Sequence, residues 1–218
     1  MASVRATLAI AALRGWRPMM RDAAQAYIQA SIVGPGRPAT WVRLPRYMWP
    51  PEWFDKDGKP IYADPVVPLL KALYGHPESG ALWEKHLSFI LITLGWKKCD
   101  SHPGIWIHTS GAVLAVYVDD LLMVAPRDKE EKLWADIAAQ VTFDEEQAPI
   151  GKFLGAHHVF KKDGNVTTFT VEMEDFMKDA AEIYAAEIGA KKLAEARTPY
   201  LPENVWDFAP EGGEQAGE

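Results

Sequence analysis

The sequence predicts an α+β fold, a ferredoxin-like antiparallel sheet with helices on one face. Residues 113–125 form an apolar, β-prone run that is interrupted at its middle by two adjacent acids, Asp119 and Asp120, and this pattern predicts two strands joined by a tight turn. Residues 79–94 place apolar side chains at helical spacing and are followed by Gly95, which predicts an amphipathic helix. Strands that are separated by two helices fit best when these helices share one face of a single sheet.

The other elements follow from propensity, capping and turn signals. Further helices are predicted at residues 3–13, 23–30, 129–140 and 172–188. Further strands are predicted at residues 16–21, 41–44, 105–108 and 141–143, and a hairpin at 152–160 and 165–171 turns at Asp163-Gly164. The intervening residues 34–68 are rich in Pro and aromatic residues, which predicts a loop anchored by its aromatic side chains.

The composition is that of an ordinary soluble globular protein, with 48% hydrophobic and 24% charged residues in a chain of 218. A net charge of -7 argues against a protein that coats nucleic acid, although an acidic protein can still carry a locally basic cleft. No apolar run has the length needed to span a membrane, and residues 1–16 lack the apolar centre of a secretory signal. The single Cys99 excludes an internal disulfide.

Asp22 stands at the junction between a predicted strand and a predicted helix. An acid at this position is stabilised by the free N–H groups at the helix N-terminus. Helix capping is therefore one interpretation of Asp22, and its local context alone does not separate this role from a functional one.

The two acids of the 113–125 run cost folding free energy at this position, because a carboxylate against apolar surroundings has to be paired, protonated or bound to a cation. A simple tight turn is the alternative, since Asp tolerates turn conformations. A two-residue hairpin more usually carries Asn-Gly or Asp-Gly, however. We therefore favour a hairpin whose tip presents Asp119, and less directly Asp120, to a divalent metal ion.

Four motifs occur in order along the chain: Arg21-Asp22-Ala23-Ala24-Gln25-Ala26-Tyr27, Leu70-Lys71-Ala72-Leu73-Tyr74-Gly75, Tyr117-Val118-Asp119-Asp120 and Phe153-Leu154-Gly155. In this order and at these spacings the set resembles the reverse transcriptase of Ty1/copia-type LTR retrotransposons, over most of residues 3–200. The resemblance implies an RNA-directed DNA polymerase with a polymerase palm, followed by the start of a thumb at the helix of residues 172–188.

The resemblance assigns the catalytic and metal-binding roles to Asp22, Asp119 and Asp120, which would hold two Mg²⁺ ions, or Mn²⁺ in their place. Such ions would help to deprotonate the primer 3′-hydroxyl and would neutralise the triphosphate and the departing pyrophosphate. Magnesium takes hard oxygen ligands and keeps waters and substrate phosphates, so a few carboxylates suffice.

The same resemblance implies how the nucleotide and the primer are held. Ala23, Tyr27 and Gly75 would bind the nucleotide, with the ring of Tyr27 beneath the incoming sugar. There the ring would collide with a 2′-hydroxyl and so select deoxynucleotides; a Tyr of the core or of a helix face is the alternative. The primer grip would be Phe153-Leu154-Gly155.

The implied partners are an RNA or DNA template, a DNA primer, deoxynucleoside triphosphates and the rest of a retrotransposon polyprotein, with no membrane. The expected location is intracellular, and the sequence does not separate a cytoplasmic particle from the nucleus. The expected domains are a reverse transcriptase palm at residues 1–148 with the fingers largely missing, a primer-grip hairpin and thumb-like helix at residues 149–200, and a disordered tail at residues 201–218.

Departures from the family pattern support a second hypothesis. Where the family usually reads Leu-Lys-Gln-Ala-Pro-Arg-Ala-Trp, this chain has His76-Pro77-Glu78-Ser79-Gly80-Ala81-Leu82-Trp83, which removes positive charge next to an anionic substrate. We also expect the fingers region, whose cations grip the triphosphate in the family, to be largely missing. The alternative is a catalytically inactive retrotransposon-derived fragment that acts at most as a nucleic-acid- or protein-binding module.

Overall fold

The structure is a computed structural model, and it describes residues 2–164 and 166–189. These residues fall into two compact units that divide between Glu172 and Met173. The predicted tail at residues 201–218 lies outside the described residues. No helix in the described part of the chain has both the length and the apolar character needed to cross a lipid bilayer.

The helices of the first unit are α1 (Ala2–Arg14), α2 (Ala26–Gln29), α3 (Ser79–Thr93) and α4 (Arg127–Ala138). Its strands, in chain order, are β1 (Pro18–Asp22), β2 (Trp41–Arg43), β3 (Val66–Pro68), β4 (Trp96–Cys99), β5 (His102–His108), β6 (Val113–Tyr117), β7 (Asp120–Val124), β8 (Ala148–Pro149), β9 (Lys152–Phe153), β10 (Ala156–Asp163) and β11 (Val166–Glu172). Two short 3-10 helices in the Pro-rich loop are Arg46–Met48 and Pro51–Trp53. The second unit contains α5 (Glu174–Glu187).

A six-stranded sheet in the order β4-β5-β6-β7-β1-β8 supports the site, and all of its strand pairs are antiparallel. The prediction of an antiparallel sheet combined with helices is thus confirmed. β6 and β7 form the predicted hairpin, and β7 also pairs with β1, which lies far earlier in the chain. Smaller sheets pair β2 with β3 and order the remaining strands as β11-β10-β9.

This six-stranded sheet is covered on both faces, since alternate residues of a strand point to opposite sides. Leu114 and Met123 belong to one core cluster, which they share with buried residues of α3 and α4. Val113 and Val124 belong to a second cluster, which they share with α1. The prediction that helices lie on one face is therefore wrong, because α1 covers the other. The physical reason is that β6 and β7 are almost continuously apolar, so both of their faces have to be buried.

Tertiary pairing shortens two predicted elements near Asp22. The predicted helix at residues 23–30 is reduced to α2, because Ala23 forms a bridge with Phe143 and the N–H of Ala24 donates to the carbonyl oxygen of Thr142 at 2.9 Å. The predicted strand at residues 141–143 is correspondingly reduced to this bridge. Pairing with a distant segment has thus overridden the helix propensity of an Ala-rich run.

Gly104 of β5 lies against the backbone of β6. A Cβ atom at this position would lie 3.0 Å from the carbonyl oxygen of Val116. We expect Gly104→Ala to lower the free energy of unfolding by about 1–2 kcal/mol, because the strand pair has to shift to make room. Gly151→Ala is the matched control, since a Cβ there meets no atom within 4 Å. Equal urea midpoints for the two variants would contradict this packing argument.

Candidate active site

The pairing of β1 with β7 brings together acids that are far apart in the sequence. Asp22, the last residue of β1, is opposite Asp120, the first residue of β7. Asp119 precedes Asp120 in the hairpin turn, and its carbonyl oxygen accepts a hydrogen bond from the N–H of Ala23 at 2.8 Å. The structure thus places all three predicted acids at one end of two adjacent strands.

The carboxyl groups of Asp22 and Asp120 lie close enough for a hydrogen bond to form between them when one is protonated. Burial, the charge of Asp22, this hydrogen bond and the charge of Asp119 together raise the pKa of Asp120 to about 6. Burial is the largest cause, and Asp120 is indeed half-buried, whereas Asp22 and Asp119 are exposed. The raised pKa shows that a negative charge on Asp120 is unfavourable in this environment, and a bound divalent cation would offset that cost.

The donor set of this pair fits a hard divalent cation, because Mg²⁺ and Mn²⁺ prefer carboxylate oxygens. Within residues 2–164 and 166–189, no three His, Cys, Asp or Glu side chains are grouped closely enough to hold a metal ion. Asp22 and Asp120 would therefore supply the first ligands, and Asp119 already acts on Asp120 through its charge. Substrate phosphates and water would complete the shell, as is usual for Mg²⁺.

A residue of α3 holds the turn that carries Asp119. Val118 has a φ of 56°, in the left-handed region that β-branched residues rarely adopt. Its carbonyl oxygen accepts a hydrogen bond from the indole Nε1 of Trp83 at 2.7 Å. Sequence reasoning missed this contact, because the position of Trp83 in the apolar stripe of a helix indicates a core residue.

The segment at residues 142–144 fixes Asp22 from its other side. The carbonyl oxygen of Asp22 accepts a hydrogen bond from the N–H of Asp144 at 3.0 Å. The side chain of Gln29 binds both backbone groups of Thr142, with Nε2 donating to the carbonyl oxygen and Oε1 accepting from the N–H, each at 2.9 Å. Gln29 was also missed, and its only signal is that it is polar in a segment of small and apolar residues.

Helix capping does not account for Asp22 in this structure. Asp22 belongs to β1, and α2 begins only after Gln25. The N-terminus of α2 has no side-chain capping hydrogen bond. The capping interpretation is therefore wrong, because pairing with the 142–144 segment continues past the end of β1.

Tyr27 and the hairpin tip line one cavity of about 350 Å³. Aromatic rings form much of its wall, and they belong to Tyr27, Trp83, Trp106 and Tyr117. The ring centroid of Tyr27 lies 4.6 Å from that of Tyr74. Gly75 follows directly in a turn, with a φ of 88°. The structure thus places Tyr27 beside the tip, with Gly75 next to the partner ring of Tyr27.

The other predicted contacts are placed differently. Ala23 is buried, and its N–H is engaged by Asp119, so this amide organises the tip. Phe153 is buried in the cluster that includes α1. Leu154 and Gly155 form the turn between β9 and β10, and both have left-handed backbones, with φ of 50° and 77°. In the predicted primer grip it is this turn, and not the ring of Phe153, that reaches solvent.

Comparison with known proteins decides the family. Residues 1–186 match the family described as reverse transcriptase (RNA-dependent DNA polymerase). The chain belongs to the reverse transcriptase family. The chain is also similar to a Saccharomyces cerevisiae protein described as a transposon Ty5-1 protein, with 26% identity over 154 residues. That alignment covers 69% of the chain and 47% of the yeast protein, so the chain spans about half the length of this relative. The resemblance to Ty1/copia-type reverse transcriptases is confirmed.

Proposed function

We propose that this chain carries the polymerase site of a Ty1/copia-type retrotransposon and adds deoxynucleotides to a primer on an RNA or DNA template. Asp22, Asp119 and Asp120 are the proposed catalytic residues; Asp22 and Asp120 are the proposed first ligands of two divalent ions, Mg²⁺ or Mn²⁺, and Asp119 is a further proposed ligand. The observation that carries the proposal is the pairing of β1 with β7, which sets Asp22 opposite Asp120 and places Asp119 next to both.

A purely structural role does not explain this group of acids. Among the salt bridges of the described residues, none involves Asp22, Asp119 or Asp120. Their negative charges therefore repel one another without a compensating cation from the protein. Such repulsion favours the binding of a divalent cation, and it is unfavourable for the fold alone.

The chain's own residues prepare the site for nucleotide addition. The 142–144 segment and the β1–β7 pairing hold Asp22 on regular backbone, which limits the motion of its carboxylate. Below about pH 6 Asp120 carries a proton that a bound cation would have to displace, since metal ligands are deprotonated. When bound, the ions would lower the pKa of the primer 3′-hydroxyl and stabilise charge on the triphosphate. The 3′-oxygen then forms its bond to the α-phosphorus as the bond to pyrophosphate breaks.

The proposed contacts with substrate are made by groups that line the cavity or reach the solvent. The ring of Tyr27 lies at the cavity beside the tip and is proposed to contact the sugar. The turn of Leu154 and Gly155 is proposed to contact the primer, and α5 is proposed to begin a thumb. The rest of a retrotransposon polyprotein is a further proposed partner, in a cytoplasmic particle or in the nucleus.

Primer extension on an RNA template tests the proposed function. The purified chain is incubated with a DNA primer annealed to the template, deoxynucleoside triphosphates and Mg²⁺, and product length is read on a gel. We expect extension that requires Mg²⁺ or Mn²⁺ and stops when a chelator is added. If the wild type and Asp119→Asn are equally inert while circular dichroism shows both folded, the non-catalytic binding module would replace this proposal.

Tyr27→Ala is expected to relax discrimination against ribonucleotides by about tenfold or more, because the pocket loses the ring that would collide with a 2′-hydroxyl. The measurement is the ratio of kcat/KM for a deoxynucleotide to that for the matching ribonucleotide. Tyr27→Phe keeps the ring and should keep the ratio. An unchanged ratio in Tyr27→Ala would remove the sugar-selecting role from this residue.

A further inference from the structure

Trp83 contacts the hairpin tip through one hydrogen bond. Its Nε1–H donates to the carbonyl oxygen of Val118 at 2.7 Å, and only 2% of the Trp83 surface is exposed. A bond formed by a buried donor is shielded from competing water, so it restrains the Val118 carbonyl strongly. Val118 needs such a restraint, because a φ of 56° is unfavourable for a β-branched residue.

The restrained carbonyl stands directly before the acids. Asp119 follows Val118, and the carbonyl oxygen of Asp119 accepts the hydrogen bond from Ala23 at 2.8 Å. Ala23 in turn follows Asp22. A continuous series of peptide and hydrogen bonds thus leads from Trp83 to the backbone of both strands that carry the acids. Loss of the first bond would let the Val118 peptide relax toward ordinary backbone angles and would reorient Asp119.

We propose that Trp83 is a positioning residue: by holding Val118 in its left-handed conformation, it sets the orientation of Asp119 and Asp120 toward Asp22. This inference concerns the geometry of the tip. Its consequence for nucleotide addition rests on the proposed function.

Trp134 of α4 offers a matched control. It is buried in the same core cluster as Trp83, with 1% of its surface exposed. Within the described residues, however, its Nε1 has no hydrogen-bond partner. Replacement of either Trp by Phe removes the same atoms from the same core, but at Trp83 it also removes the bond to the tip.

Amide hydrogen exchange tests the proposal without any need for activity. The N–H of Ala23 reports on the tip, because the carbonyl of Asp119 accepts its hydrogen bond. We expect Trp83→Phe to speed exchange at Ala23 by about five- to tenfold, the change that corresponds to one lost hydrogen bond. Trp134→Phe should leave this rate unchanged once both are corrected for global stability. Equal corrected rates in the two variants would overturn the proposal.

A second replacement covers the case in which Trp83→Phe does not fold. Incorporation of 3-benzothienylalanine at position 83 keeps the size and shape of the bicyclic ring but supplies no N–H donor. We expect it to speed exchange at Ala23 in the same way. Exchange identical to that of the wild type would show that the hydrogen bond does not hold the tip and would overturn the proposal.

Kinetics and metal binding distinguish this inference from the proposed function. Trp83→Phe is expected to lower kcat about tenfold with little change in the KM for nucleotide, and to weaken Mn²⁺ binding measured by electron paramagnetic resonance. In a Val118→Gly background the left-handed backbone is favourable, so the effect of Trp83→Phe on kcat and on Mn²⁺ binding should shrink. An undiminished effect would show that Trp83 does not act through Val118 and would overturn the proposal. A wild type that binds Mn²⁺ but extends no primer would contradict the proposed function, while exchange at Ala23 would still decide the role of Trp83.

Discussion

Asp120→Asn is expected to lower the rate of primer extension by about a thousandfold or more, because it removes a proposed ligand of the ions that stabilise the transition state. The same change is expected to stabilise the metal-free protein. Asn keeps the shape of the side chain but carries no charge, so it removes both the cost of burying a charge and the repulsion with Asp22 and Asp119, which raise the pKa of Asp120. The gain should stay below about 1 kcal/mol, because a half-exposed carboxylate is screened by solvent.

Single-turnover primer extension and thermal denaturation in the presence of a chelator measure the two effects. Asp128→Asn is the matched control, since Asp128 is exposed on α4 and forms an ion pair with its neighbour Lys129 at 3.4 Å. This control should change neither quantity appreciably. Simultaneous loss of activity and stability in Asp120→Asn would indicate a structural carboxylate, and retained activity would remove Asp120 from the mechanism.

Primer extension is also expected to fall as the pH drops below about 6, by up to about tenfold per pH unit. In this range Asp120 carries a proton, which competes with the divalent ion for its carboxylate oxygens. The measurement is kcat/KM for the nucleotide as a function of pH at subsaturating Mg²⁺. Raising the Mg²⁺ concentration should shift the profile to lower pH. A profile that is flat through pH 6 would contradict the assignment.

The stability of the metal-free protein should change with pH in the opposite direction. The pKa of Asp120 is about 6 in the folded protein and 3.8 for an ordinary Asp side chain. Between these two values the folded state binds more protons than the unfolded state, so the contribution of this group to the free energy of unfolding decreases as the pH rises. Above the pKa that Asp120 has in the folded protein, its contribution to the free energy of unfolding no longer changes with pH. Urea denaturation in a chelator measures this trend, and Asp120→Asn should reduce it.

Elements with a strong local pattern could be predicted from the sequence. The apolar stripe of residues 79–94 identifies α3, and the acids inside the 113–125 run mark the turn between β6 and β7, since both signals depend on side chains close together in the chain. β4 has two lysines among its four residues, and β8 has two residues. Such short edge strands carry too little periodicity to be predicted.

The site itself depends on contacts between distant segments. No local pattern predicts that β1 lies next to β7, so the meeting of Asp22 with Asp120 could be expected only from the family resemblance. The helix propensity of residues 23–30 pointed to capping for Asp22, and a distant segment outweighed it. The roles of Trp83 and Gln29 likewise depend on which backbone groups lie opposite their side chains, which the sequence does not reveal.

The titration of the Asp120 carboxyl carbon, followed by carbon-13 NMR with and without Mg²⁺, tests whether a divalent ion binds beside Asp22 and Asp120. We expect a midpoint at about 6 in the metal-free protein and a clear shift to lower pH when Mg²⁺ is added. A midpoint at the ordinary Asp value, or one that saturating Mg²⁺ leaves in place, would contradict the claim that Asp22 and Asp120 form a site for a divalent ion.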